Sequence, residues 1–273
     1  MIFHQMLQAL SEPLHYGFFR RSLLAVVLLA PMLSMLGCLV VEARMAYFSD
    51  AVGHGGLAGI ALGALVGIVD PFLSLVTFSV MLALAVVGAR RKGALSSDTA
   101  IGVFQAAAMA VGVVLLSRGG GFARYSRFLV GDILSIGAHE LWRLAAVFAV
   151  FLVVWIWIFN RVLVASLGET LAHSRKISPW FTLAVFSVVV AVVVASTIQW
   201  LGILVIQALV VLPAATARNL ARSMAGLHWI AVAVGTGCSV AGLFASWAWS
   251  TASGATMVLF CFGAFLVSLV FRR

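Results

Sequence analysis

Charge is scarce in this 273-residue chain: Asp, Glu, Lys and Arg make up 9% of it, against 64% hydrophobic residues. A soluble protein spreads charged side chains over its surface at helical or strand spacing. Here the few charges sit between long apolar runs, so a soluble fold is excluded and the bilayer is the solvent. Lysine is scarcer still. Lys92 and Lys176 are the only two, and neither stands in a Gly-x4-Gly-Lys-Ser/Thr loop, so the chain has no P-loop of its own to hold ATP. The three cysteines, Cys38, Cys238 and Cys261, lie inside apolar runs without a CxxC pair, which excludes a disulfide framework or thiolate cage and leaves a packing role. Despite a net charge of +9, no basic run exceeds Arg90-Arg91-Lys92, which excludes a nucleic-acid surface.

Catalytic constellations are missing too. His139-Glu140-Leu141-Trp142-Arg143 starts like a zinc-protease HExxH but has Arg143 where the second histidine must stand, and there is no Gly-x-Ser-x-Gly. A membrane-embedded enzyme therefore ranks below a transporter. A secondary metal transporter working without an ATPase is the other alternative, and it would want intramembrane carboxylates as proton relays, which the spans almost entirely lack.

What the chain does have is length of apolar run. A bilayer core of about 30 Å takes about 20 apolar residues per helix. On that measure the candidate spans are 22–41, 51–69, 72–89, 99–117 and 144–163. The uncharged stretch from Ile177 to Ala217 should make two crossings with a bend near Gln199-Trp200, and 223–271 two more with a break at Ser250 to Gly254. The expectation is an all-α polytopic membrane protein of eight or nine transmembrane helices, a single transmembrane domain over 1–273 with an extramembrane segment at 1–21. Glu12, Pro13 and Arg20-Arg21 before the first run, and no small-residue cleavage site after it, mark that run as a retained span. The positive-inside rule then puts Arg44, Arg90, Arg91, Arg175 and Lys176 on the cytoplasmic side together with the C-terminus. The polar stretch 118–143 falls outside, and its Phe128 to Leu134 part reads as a short, partly embedded turn.

Two polar residues open an otherwise apolar helix: Asp50 and His54. A spacing of four places both on one helix face, where a carboxylate oxygen and an imidazole nitrogen can reach one cation, a donor set suited to zinc, manganese or iron(II). The plainer alternative is that Asp50 caps the helix and His54 bonds a neighbouring helix. Glycines follow at Gly55, Gly59, Gly63 and Gly67, a bare stripe that lets another helix approach closely. Asp132 and Glu140, in the external stretch, are candidates to receive a metal on its way in, with helix capping as the plainer alternative. On the cytoplasmic side, Ala165 to Lys176 is a short polar helix former within the connecting segment 164–179, the kind of element that docks into a partner.

Together these stretches resemble the permease family of ABC importers for zinc, manganese and iron. Arg44-Met45-Ala46-Tyr47-Phe48-Ser49-Asp50, followed by His54, is similar to that family's helix start. Asp98-Thr99-Ala100-Ile101-Gly102, Leu129-Val130-Gly131-Asp132-Ile133-Leu134 and Leu212-Pro213-Ala214-Ala215-Thr216-Ala217-Arg218 are similar to three further motifs, in order along the chain. The resemblance implies a homodimer in the bacterial inner membrane, two cytoplasmic ATPase subunits and an extracytoplasmic metal-binding protein. It also implies that Asp50 and His54 face the pathway, that Leu167, Gly168 and Glu169 belong to the coupling helix, and that zinc or manganese is cargo, with no permanently bound cofactor.

Overall fold

The computed structural model describes residues 12–68, 70–91, 96–118, 131–167 and 169–271. Its elements are helices throughout. They are α1 (Gly17–Glu42), α2 (Phe48–Val66), α3 (Pro71–Arg91), α4 (Ser97–Arg118), α5 (Ala138–Leu167), α6 (Glu169–Ser174), α7 (Pro179–Leu220), α8 (Met224–Trp249) and α9 (Ser253–Val270), with 3-10 turns at Pro13–His15 and Ile133–Ser135. Among the described residues there is no strand. Eight of the helices, all but α6, are long and apolar enough to cross a membrane. This is an all-α, multi-pass membrane protein.

The sequence expectation of a bend near Gln199-Trp200 is met a little farther on. In α7, Gly202 takes φ 75° and ψ 161°, a conformation open only to glycine, and it divides 179–220 into two stretches. The break between α8 and α9 falls where the Ser/Thr/Gly run predicts it: Ser250 closes α8 in the left-handed region and α9 starts at Ser253. At the other end, α1 begins at Gly17 and so takes in Arg20 and Arg21, which the sequence placed ahead of the span. On α5 the apolar residues Val150, Val153, Ile156 and Trp157 are exposed at helical spacing, Ile156 by 81%. A face of that kind rests in lipid or against another membrane helix, not in water.

Packing divides the chain into two compact units. The first takes in Met1–Cys38, Val130–Phe148 and Gln199–Arg273. Within it, small residues let backbones meet: a side chain at Gly37 would strike the Val210 carbonyl, and one at Gly242 would lie 2.6 Å from Met257 Cα. Gly131, at φ 69°, sits against the backbone of Leu201 and Gly202, so only glycine fits there on both counts. Ile133 and Ile136 beside it are buried, and the Ser22 hydroxyl donates to the Ile133 carbonyl at 2.9 Å. The described part of the expected segment thus makes a 3-10 turn packed into this unit; Phe128 to Val130 lie outside the described residues. Phe19 stacks edge-on against Phe244 at 5.1 Å and Asn219 donates to Ser268 at 2.9 Å.

The second unit, Leu39–Leu129 and Ala149–Ile198, is built around α2. Its glycine stripe meets α3 in antiparallel register. A side chain at Gly55 would collide with Leu82, one at Gly59 would lie 2.5 Å from Phe78 Cβ, and one at Gly63 would overlap Ser74. Gly67 does not extend the stripe. At φ 84° it ends α2 as a left-handed cap, and a side chain there would meet nothing. Helix α4 flanks α2 in parallel: Gly112 lies against the Ala58 backbone, and Gln105 stands beside Asp50.

Candidate metal site

The first turn of α2 carries the site. The cap position falls on Tyr47, which makes no side-chain capping bond, and Asp50 directs both its oxygens to side chains. Its Oδ1 lies 3.4 Å from His54 Nε2, and its Oδ2 accepts a 2.6 Å hydrogen bond from Gln105 Nε2 on α4. Both members of the pair are about three-quarters buried. The helix spacing of four is what sets the Asp50–His54 distance. Two ligands, each about 2.1 Å from one ion at a tetrahedral angle, sit about 3.4 Å apart, a separation that the pair matches.

His54 Nδ1 is enclosed and has no hydrogen-bond partner. A histidine in a resident metal site donates through its second nitrogen to an acceptor that stiffens the ring. Here the ring is without that brace, and among the described residues no group of three His, Cys, Asp or Glu side chains converges. One carboxylate and one imidazole thus stand side by side near the start of α2, the donor types of a transition-metal ligand pair.

The other acidic candidates stand in a different setting. Asp132 caps the Ile133–Ser135 turn, its Oδ1 accepting from the Leu134 amide at 3.1 Å, and Glu140 Oε2 accepts from the Gly137 amide at 2.8 Å in the first turn of α5. Leu167 ends α5 and Glu169 starts α6, while Gly168 lies outside the described residues. The connecting segment expected over 164–179 is therefore the end of α5, the short helix α6, and a turn through Arg175 and Lys176. At its base a cleft of about 580 Å³ is lined by Arg44, Arg90, Arg91, Ser166, Pro179 and Trp180 among others. Arg91 lies over the Trp180 ring at 4.6 Å. Arg44, Arg90 and Arg91, three of the basic residues that charge bias assigned to one side, and both ends of the connecting segment thus meet in the second unit.

Gln105 was missed in the sequence reading. The signal was there: an amide in the middle of an apolar span, where polar groups are costly, just past the Asp98-Thr99-Ala100-Ile101-Gly102 stretch. Residues 15–272 match the ABC 3 transport family. The chain belongs to that family. It is 28% identical over 264 residues to a manganese import system permease protein, ScaB, of Streptococcus gordonii, covering 96% of this chain and 95% of that one. It is 29% identical over 257 residues to the high-affinity zinc uptake system membrane protein ZnuB of Haemophilus influenzae, covering 92% and 96%. Among solved structures it is similar to PsaBC from Streptococcus pneumoniae in complex with Fab, with a TM-score of 0.83 at 25% identity over 97% of this chain and 95% of that chain.

Proposed function

We propose that this ABC 3 family member is the membrane-spanning permease subunit of an ATP-driven importer, with a divalent transition metal, zinc or manganese, as cargo. The observation that carries the reading is the Asp50–His54 pair, an oxygen and a nitrogen ligand 3.4 Å apart on one face of a helix long enough to span the membrane. The relatives' names support it, since they include permeases for manganese and for zinc. With no P-loop in this chain, ATP hydrolysis belongs to a partner subunit on the cytoplasmic face. Leu167, Gly168 and Glu169, with α6, are the contact through which that partner drives the permease, and the basic cleft beside them adds charge to the same face.

In this reading two copies of the chain flank one pathway, and an extracytoplasmic metal-binding protein hands the ion to it. The cation is held by Asp50 and His54 of each copy and let go when the ATPase rocks the pair of subunits inward. Few ligands are an advantage here: conduction needs binding favourable enough to enter and weak enough to leave. Asp132 and Glu140, on the outer side, cap local backbone amides in this reading and do not hold the ion.

The test is elemental analysis of cells lacking this protein, with the wild-type chain or the Asp50→Asn variant restored. Zinc or manganese content should fall in the deletion, return with the wild type, and stay low with the variant. Unchanged content of every transition metal in the deletion would sink the importer reading.

A further inference from the structure

We propose that Gln105 is a specificity-determining residue, which holds Asp50 to one-oxygen coordination and so selects zinc over manganese; this rests on the metal-site reading given above. The amide of Gln105 reaches Asp50 from α4, 55 residues away in sequence, and donates to Oδ2 at 2.6 Å. Its orientation is fixed by chemistry, because turning the amide over would set its carbonyl oxygen against the carboxylate. With Oδ2 taken by this bond, Oδ1 is the oxygen left facing His54 Nε2.

A carboxylate can chelate an ion through both oxygens only if both turn toward it. Gln105 opposes that rotation and withdraws electron density from one of the two donors. Ions that fill six or more positions can take a carboxylate through both oxygens, and carboxylate-rich sites suit manganese better than zinc. Zinc takes four ligands, accepts imidazole readily and needs only one oxygen from a carboxylate. The clamp on Asp50 is therefore what favours zinc. Zinc binds nitrogen ligands more tightly than manganese in any case, so the selective effect lies in the ratio of the two metals and not in the uptake of zinc alone.

The experiment is competitive uptake of labelled zinc and manganese by cells carrying the full importer, with this chain as wild type, Gln105→Leu or Asp50→Asn, each scaled to the amount of chain in the membrane. Gln105→Leu keeps the size of the side chain and removes the amide. The expected result is a manganese-to-zinc ratio raised about tenfold, the scale on which loss of a group supporting a metal ligand is felt, with Asp50→Asn inactive toward both metals. An unchanged ratio in Gln105→Leu beside an inactive Asp50→Asn overturns the role of Gln105 and leaves the site standing. Equal loss of both metals in Gln105→Leu also overturns it, since a residue that only props the helices has no reason to distinguish ions. Uptake retained by Asp50→Asn overturns the site itself, and the proposal with it. Should Gln105→Leu fail to reach the membrane, Gln105→Met, unbranched and of similar length, reads the same ratio.

Discussion

Asp50 and Asp132 are the same residue put to different ends. Asp132 gives a carboxylate oxygen to the backbone amide of Leu134 and finishes a turn; Asp50 has only side-chain partners, His54 and Gln105. Glu140 follows Asp132, accepting from the Gly137 amide. A carboxylate bonded to backbone amides nearby in sequence is tied to local geometry, whereas one that faces an imidazole inside a span can exchange a partner for an ion. What separates a structural acid from a candidate ligand is therefore the kind of partner each has.

The largest expected effect lies at the α2 pair. Asp50→Asn and His54→Ala should each abolish metal uptake, a larger loss than the roughly 10-fold that follows removal of a group merely supporting a ligand, while the chain still reaches the membrane; uptake at wild-type rates would erase the difference drawn between the two acids. Next come the stripe positions. Gly59→Val forces a branched side chain against Phe78 and should cost about 1–3 kcal/mol of stability as overpacking, read as a lowered thermal midpoint in detergent. Gly67→Ala places a side chain in open space but in a left-handed conformation, a strain of about 1 kcal/mol. A Gly67 variant hit as hard as Gly59→Val would mean that the stripe extends the full length of α2. The smallest change is expected from Asp132→Ala, which removes a cap worth about 1 kcal/mol. Uptake per folded molecule should stay at the wild-type level; a separate fall in uptake would move Asp132 into the company of Asp50 and make it an entry ligand.

Much of this was legible in one dimension. The spans announce themselves because lipid tolerates no exposed backbone and few charges, and the α8–α9 break because Ser250 to Gly254 is poor in both hydrophobicity and helix preference. Asp50 and His54 could be paired from spacing alone, since a helix fixes the geometry of residues four apart. Gln105 could not, because its partner lies on another helix and nothing in either sequence segment states which faces meet. Gly67 looked like a fourth member of a periodic series, yet periodicity says nothing about where a helix ends. The kink of α7 fell at Gly202, a little past the expected place, and the tertiary contact there, Gly131 against that backbone, was not legible either.

The bare face of α2 carries a thermodynamic corollary. Two helices lined with leucines must freeze rotamers on both sides when they associate, and in a bilayer no hydrophobic force offsets that loss of freedom. At Gly55, Gly59 and Gly63 there is no side chain to immobilise, so at these positions docking of α2 against α3 sacrifices side-chain entropy only on the α3 side. Because an entropic penalty grows with absolute temperature, the contact that carries Asp50 and His54 should loosen less on warming than a leucine-lined seam of the same length.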